Sequence, residues 1–154
     1  MTLAIRPSGR DEADLQFALQ RAASLAGLSH IFPPEEFPYP DEAVRERWRA
    51  FPGSVLVAEQ NGTAVGLAAI AACWLHGLYV VPEAWGTGVA VALHDAALAA
   101  LPDCPEVKLW VLEENRRARR FYEKHGWRRN GETRVVEYPP SPLDLGYSFI
   151  REEP

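Results

Sequence analysis

The sequence has little cysteine, no long apolar run and no excess of basic residues. The two cysteines, Cys73 and Cys104, form neither a C-x-x-C pair nor a zinc-binding spacing, so we expect reduced thiols and no metal site. The net charge of −5 argues against nucleic-acid binding. Ala68–Ala72 is apolar but too short to cross a bilayer, and the first residues do not read as a signal peptide. We therefore expect a cytoplasmic protein without membrane contact.

The composition is typical of a globular protein. With 154 residues, 47% hydrophobic and 24% charged, the chain is expected to form one domain over residues 1–154. Apolar periodicity predicts an α/β (α+β) fold with strands at Leu3–Arg6, Ser54–Gln60, Thr63–Ala72, Cys73–Val81, Val107–Leu112, Trp127–Glu137 and Leu143–Arg151. The predicted helices are Asp11–Gly27, Asp41–Phe51, Val89–Ala100 and the segment between Asn115 and Gly126. The first helix is expected to bury Leu15, Leu19, Ala22, Ala23 and Ala26. Asn130-Gly131 fits either a hairpin turn or a bend within one strand.

The stretch LHGLYVVPEAWGTGVAVAL, residues 75–93, joins an apolar strand to a helix through a turn with two glycines. Pro82 ends the strand because proline has no N–H for a ladder, and Gly86 and Gly88 allow a sharp turn. The free amides and the positive dipole end of the helix form an anion site that suits a phosphate. A dinucleotide-binding motif is excluded because position 91 is Val instead of the third glycine, and the G-K-[ST] of a P-loop is absent.

A second stretch, VKLWVLEENRRARRFYEKHGW at residues 107–127, is a strand followed by a helix. Asn115 suits an N-cap, and Gly126 suits the position just after the helix. Helical spacing puts four residues on one face: Ala118, Phe121, Tyr122 and His125. The two stretches, in their order and spacing, resemble the GNAT superfamily of N-acetyltransferases. That family has [RQ]-x-x-G-x-[GA], here Trp85–Ala90 with Trp85 replacing Arg or Gln, and then N-x-x-A, a Phe-Tyr pair and Gly-aromatic.

The resemblance implies a GNAT-type domain with a mixed, mostly antiparallel sheet of six to seven strands and helices on both faces. Two parallel strands, ending at Val81 and Leu112, would splay apart, and acetyl-CoA would pair between them like an added strand. The implied contacts are Leu78, Tyr79, Val80, Trp85, Gly86, Thr87, Gly88, Val89, Ala90, Asn115, Ala118 and Tyr122. The basic residues of the second helix mostly fit a solvated face, although one or two could reach the cofactor phosphates: Arg116, Arg117, Arg119, Arg120 and Lys124.

The implied reaction is direct attack of a neutral amine on the thioester in a ternary complex. The Val80 N–H is the implied donor to the oxyanion, and Tyr122 is the implied acid that protonates the departing thiolate, with a plain core role as its alternative. Trp74 stands where many family members carry a glutamate base. Strand alternation predicts that Trp74, His76 and Val80 share a face, so His76 could serve as base or have no role in the reaction. Other candidates are a water chain, or attraction of the ammonium group by Glu36, Asp41 and Glu42.

The proline-rich loop His30–Pro40 carries three aromatic residues, Phe32, Phe37 and Tyr39. They either line the acceptor pocket or form a lid that packs on the sheet, and Trp74 could add an apolar wall. A closed pocket favours a small-molecule or amino-acid-like amine as acceptor. An acetyltransferase of protein N-termini or lysines, and a sensor that binds acetyl-CoA without transfer, remain alternatives. Dimers are common in the family, but no stretch here marks an interface.

Overall fold

The computed structural model describes residues 2–151. Seven strands within this range are β1 (Leu3–Ser8), β2 (Ser54–Gln60), β3 (Thr63–Ala71), β4 (Trp74–Val80), β5 (Glu106–Leu112), β6 (Arg128–Val135) and β7 (Leu143–Ile150). They form a single sheet in the order β1-β2-β3-β4-β5-β7-β6, in which β4 and β5 are parallel and the other neighbours antiparallel. The predicted mixed, mostly antiparallel sheet is therefore confirmed.

Helices cover both faces of the sheet, as predicted. They are α1 (Ala13–Gly27), α2 (Asp41–Arg49), α3 (Val89–Ala99) and α4 (Arg116–Lys124). On one face, α1 and α2 bury Phe17, Val44 and Trp48 against Val57 and Leu67. On the other face, α3 and α4 pack onto the sheet, and this core includes Val89, Leu93, Leu109, Tyr122 and Tyr147. We call these the α1/α2 face and the α3/α4 face.

The parallel strands β4 and β5 separate almost as soon as they begin. Their register consists of one residue pair, Trp74 with Lys108, next to a hydrogen bond of 3.1 Å from the Lys108 N–H to the Cys73 carbonyl. Beyond that pair no strand of residues 2–151 fills the space between them. The splayed pair inferred from the resemblance is therefore confirmed, and it leaves main-chain groups of both strands without sheet partners.

A β-bulge interrupts β4 and corrects one prediction. Ala69 pairs with Gly77 and Ile70 with Leu75, so His76 is an extra residue in the strand. Before the bulge, Leu75 lies on the α3/α4 face; after it, Val80 lies on that same face. Trp74 and His76 lie on the opposite face, with His76 against Phe51 at a ring-centroid distance of 5.4 Å. The prediction that Val80 shares their face was wrong, because the extra residue reverses the alternation.

The two cysteines form a disulfide, so the expectation of reduced thiols was wrong. The Cα atoms of Cys73 and Cys104 lie 5.6 Å apart, and neither thiol is free. Cys73 precedes β4 and Cys104 lies two residues before β5. Because these strands are parallel and begin side by side, the residues that lead into them meet at the same end of the sheet. Spacing along the chain gave no sign of this contact.

Smaller differences concern where elements begin, end and face. In α1 the buried residues are Ala13, Gln16, Phe17 and Leu19, whereas Ala22 and Ala26 are exposed, contrary to the prediction. Gln16 is buried because its amide donates to the Ser8 hydroxyl and the Gly9 carbonyl, each at 3.0 Å. Asn130-Gly131 lies inside β6, whose register shifts between Arg129 and Thr133, so it is a bend within one strand. No helix in residues 2–151 is long and apolar enough to cross a membrane.

Candidate functional site

The glycine turn presents main-chain amides at the start of α3. Gly86 and Gly88 have φ angles of +76° and +87°, which residues with a Cβ rarely adopt. Gly88 is the cap residue of α3, and the Thr87 hydroxyl ties the turn back to the Ala84 carbonyl. The first amides of α3 have no partner within the helix and lie at its positive dipole end. Val89 is fully buried, so its side chain belongs to the core. The turn therefore fits a phosphate group.

Trp85, which departs from the family motif, joins the turn to both neighbouring elements. Its indole N–H donates to the Val80 carbonyl at 2.8 Å, and the Arg117 guanidinium carbon lies 3.5 Å from the ring centroid. Such stacking on an indole is a strong form of cation–π contact. A cation from α4 is thus held beside the glycine turn, where the family motif would have carried Arg or Gln on the turn itself.

A narrow cleft of about 180 Å³ lies between the end of β4, the start of α3, α4 and the C-terminal end of α1. Many of the residues implied as acetyl-CoA contacts line it: Leu78, Tyr79, Val80, Trp85, Ala90, Asn115, Ala118 and Tyr122. Asn115 caps α4, since its side chain accepts from the Ala118 N–H at 3.3 Å. Of the basic residues of α4, Arg117 lines this cleft, whereas Arg116 and Arg120 line a neighbouring cavity of about 460 Å³.

The Val80 N–H points into the gap between the splayed strands. The Val81 N–H donates to the Val65 carbonyl of β3 at 2.9 Å. Because successive main-chain groups of a strand point to opposite sides, the Val80 N–H and carbonyl point away from β3. The Val80 carbonyl accepts the hydrogen bond that the Trp85 indole N–H donates. The Val80 N–H is therefore oriented towards the place where an added strand, or a ligand that mimics one, would lie.

Tyr122 belongs to the core and to the cleft at once. Its side chain is 8% exposed and packs with the core of the α3/α4 face, and it also lines both the narrow cleft and a wider one on the α1/α2 face. Burial raises the pKa of Tyr122, and the neighbouring Tyr79 raises it further. The hydroxyl therefore stays protonated at neutral pH, although transfer of its proton is less favourable than for an exposed phenol.

The wider cleft, of about 870 Å³, opens on the α1/α2 face. Trp74 stacks on Trp110 across the gap at 6.0 Å between ring centroids, and Arg134 lies 4.5 Å above the Trp110 ring. The buried carboxylate of Asp144 accepts a hydrogen bond of 3.0 Å from Arg134 and also lines the cleft. This cleft shares Leu78, Tyr79 and Tyr122 with the narrow one, so the two meet at the gap between the strands.

His76 lines the wider cleft but lies far from Val80. Burial lowers its pKa, and the Arg134 cation lowers it further, against a main-chain hydrogen bond with Ala71 that raises it. The imidazole is therefore neutral at neutral pH and can accept a proton. Val80 lies four positions further along the strand, roughly 13 Å away at the usual rise per residue. A proton taken up near Val80 would have to travel through water to reach His76.

The three aromatic residues of the proline-rich loop come together around a further pocket of about 380 Å³, which Phe32, Phe37 and Tyr39 line with α1, α2 and Tyr138. Two long-range bonds hold the loop: the Tyr138 hydroxyl donates to the Pro38 carbonyl at 2.7 Å, and the His30 ring nitrogen donates to the Glu114 carbonyl at 2.9 Å. Trp74 lies in the adjoining wider cleft. The acidic candidates Glu36, Asp41 and Glu42 line neither cavity, and Arg21 and Arg45 pair with the latter two.

Sequence reasoning missed Arg47, Trp110 and Asp144, all of which line the wider cleft. Asp144 had a signal, because it is the one charged residue in the strand LDLGYSFI. Arg47 and Trp110 had none, because only the assembled sheet brings α2 and β5 to the same opening.

The chain belongs to the acetyltransferase (GNAT) family, whose model matches residues 22–127. An uncharacterized N-acetyltransferase of Mycobacterium tuberculosis is 36% identical over 85 residues, which cover 51% of this chain and 54% of the relative. An uncharacterized N-acetyltransferase of Archaeoglobus fulgidus is 40% identical over 88 residues, which cover 49% of this chain and 60% of the relative. The chain thus spans little more than half the length of the curated relatives it matches.

Solved structures share the fold over the whole chain. The apo form of YjaB from Escherichia coli superposes with a TM-score of 0.76 at 22% identity, covering 99% of this chain and 100% of the other. The PaiA N-acetyltransferase of Thermoplasma acidophilum, solved in complex with coenzyme A, superposes with a TM-score of 0.73 at 19% identity. The match covers 98% of this chain and 100% of the other. At such identities the likeness concerns the fold.

Proposed function

We propose that this protein is an acetyl-CoA-dependent N-acetyltransferase that acts on the primary amine of a small-molecule or amino-acid-like acceptor. The observation that supports it best is the gap between β4 and β5. There an unpaired strand edge at Val80 lies where a narrow cleft that leads to the glycine turn meets a wider cleft. Two substrates that enter through the two clefts would meet at that edge, as direct transfer requires.

The residues around the gap have separable roles in this proposal. Acetyl-CoA, when bound, supplies an acetyl thioester that a neutral amine can attack. The amides of the glycine turn and the first turn of α3, with Arg117 beside them, would hold its phosphates. The Val80 N–H would donate to the acetyl oxygen. The Tyr122 hydroxyl would carry the proton for the departing sulfur, and its raised pKa predicts a modest contribution to the rate.

Removal of the acceptor's proton falls to groups on the α1/α2 face. Asp144 lies opposite Leu112 in the sheet, near the level of the gap; Arg134 binds one of its carboxylate oxygens, and the other would accept a hydrogen bond from the acceptor's ammonium group. His76, neutral because of burial, would accept the proton through water. These assignments make the wider cleft the acceptor side and the narrow cleft the donor side.

The proline-rich loop favours a compact acceptor over a protein chain. The bonds of Tyr138 to Pro38 and of His30 to Glu114 anchor it at two points. An anchored loop of this kind encloses a pocket, whereas a peptide acceptor needs an open groove.

The test is calorimetric titration with acetyl-CoA, followed by thiol release in the presence of small amines, amino acids and peptides with a free N-terminus or lysine. We expect binding of acetyl-CoA and release that depends on a small amine or amino acid. Release with peptides alone would transfer the assignment to protein acetylation. Binding without release from any acceptor would favour a sensor, and absence of binding would refute the proposed function.

A further inference from the structure

Arg47 is the unpaired arginine of α2. Arg45 and Arg49 each bind an acid three residues earlier, Glu42 and Glu46. Arg47 has Val44 and Ala43 at the corresponding positions and Ala50 and Phe51 on the next turn, so its own helix offers no acid. Among the described residues, no carboxylate lies within 4.0 Å of its guanidinium. The helix therefore leaves one cation without a counter-ion.

This cation lies where two cavities join. Arg47 lines both the 380 Å³ pocket of the proline-rich loop and the 870 Å³ cleft that reaches the gap. It is the one charged residue among the described residues that line the smaller pocket, whose walls are otherwise mainly aromatic and aliphatic. Burial raises the pKa of Tyr39 to about 12, and the Arg47 cation opposes that rise, in keeping with a position near the hydroxyl.

Tyr39 adds a polar group to the same pocket. Its buried hydroxyl has a side-chain hydrogen bond with Ser24 that lowers its pKa, but the geometry of this bond is too poor to satisfy the hydroxyl fully. A buried hydroxyl that is only weakly bonded gains free energy when a ligand or water meets it. The pocket thus combines an apolar interior, one cation where it joins the wider cleft, and a weakly bonded hydroxyl.

We propose that the acceptor is an apolar amine that also carries a carboxylate, as an amino acid does, and that Arg47 binds this carboxylate. The inference rests on the proposed function and names its substrate class. The guanidinium fork matches a carboxylate in a bidentate manner. The apolar body of the acceptor would fill the pocket between Phe32, Phe37 and Tyr39, with the carboxylate at its mouth. The amine would then extend into the wider cleft towards Tyr122 and Asp144.

The test compares acceptors that differ only in the carboxylate. The probes are L-phenylalanine with phenethylamine, and L-leucine with isoamylamine. Binding is measured by calorimetry on the protein with and without coenzyme A, and turnover by thiol release. The variants are Arg47→Gln and, as matched control, Arg49→Gln, whose arginine is paired on the same helix and lines neither cavity.

We expect the wild-type protein to prefer the carboxylate-bearing member of each pair. Arg47→Gln is expected to raise the Kd and KM of that member about 10- to 100-fold, the range for a hydrogen bond to a charged group. The Kd values of the decarboxylated amine and of acetyl-CoA are expected to stay the same. Arg49→Gln is expected to change neither. The inference would be overturned if the carboxylate-bearing member bound no more tightly than its decarboxylated partner, or if neither member bound. Because the binding comparison does not need turnover, it stays readable if acetyl-CoA fails to bind, which is the result that refutes the proposed function.

Discussion

Removal of the disulfide is expected to cost more stability than most single core substitutions. Cys73 and Cys104 are separated by 31 residues along the chain. Closing a loop of that length in the unfolded state corresponds to about 3.7 kcal/mol at 25 °C in the chain-entropy description. At a shift of roughly 2–4 °C per kcal/mol for a chain of this size, the double substitution Cys73→Ala and Cys104→Ala lowers Tm by about 7–15 °C.

Urea unfolding followed by circular dichroism, in oxidising and in reducing buffer, measures this effect. We expect the wild-type and double-alanine proteins to differ in oxidising buffer and to converge once the disulfide of the wild-type protein is reduced during unfolding. The convergence separates the cross-link from the packing of the two side chains, because both proteins then unfold to an open chain. Equal midpoints in oxidising buffer, or two titratable thiols in the oxidised native protein, would refute the reasoning.

Three predictions concern the proposed reaction. Tyr122→Phe is expected to lower kcat about 100-fold, the lower end for a proton donor, while acetyl-CoA binding by calorimetry stays the same; an unchanged kcat would remove Tyr122 from the reaction. Gly88→Asp is expected to abolish acetyl-CoA binding while Gly88→Asn, equally able to adopt φ near +87°, retains it; micromolar affinity of the Asp variant would contradict the phosphate assignment. His76 is a base only when deprotonated, and its pKa is lowered, so kcat/KM is expected to fall with decreasing pH below about 6.5; an acidic limb that persists in His76→Ala would exclude His76.

Local patterns in the sequence predicted most elements of the fold. Ser54–Gln60 matches β2 residue for residue, and the Asn61-Gly62 turn that follows defines the end of the strand. The predicted helix at Val89 begins there because Gly88 permits the left-handed cap. The splayed strands β4 and β5 were predicted from the family resemblance. They are confirmed, because the two strands pair at a single position, Trp74 with Lys108.

Features that depend on more than one element were not predictable in this way. The bulge at His76 depends on the register of β4 against β3, which alternation within β4 cannot reveal. The disulfide depends on two strand starts that meet only in the assembled sheet. Spacing within α2 shows that Arg47 lacks an acid partner there, but its position where two cavities join depends on the assembled fold.

The bulge also bears on how this enzyme fold can be redesigned. It divides β4 into a first part, Trp74 to His76, which lines the wider cleft, and a second part, Gly77 to Val80, of which Leu78, Tyr79 and Val80 also line the narrow cleft. Because of the inserted residue, the side-chain alternation of the first part does not continue into the second part. We therefore expect substitutions at positions 74 and 76 to change the lining of the wider cleft, and with it the choice of acceptor in the proposed reaction. The Val80 N–H is expected to keep its orientation in such variants.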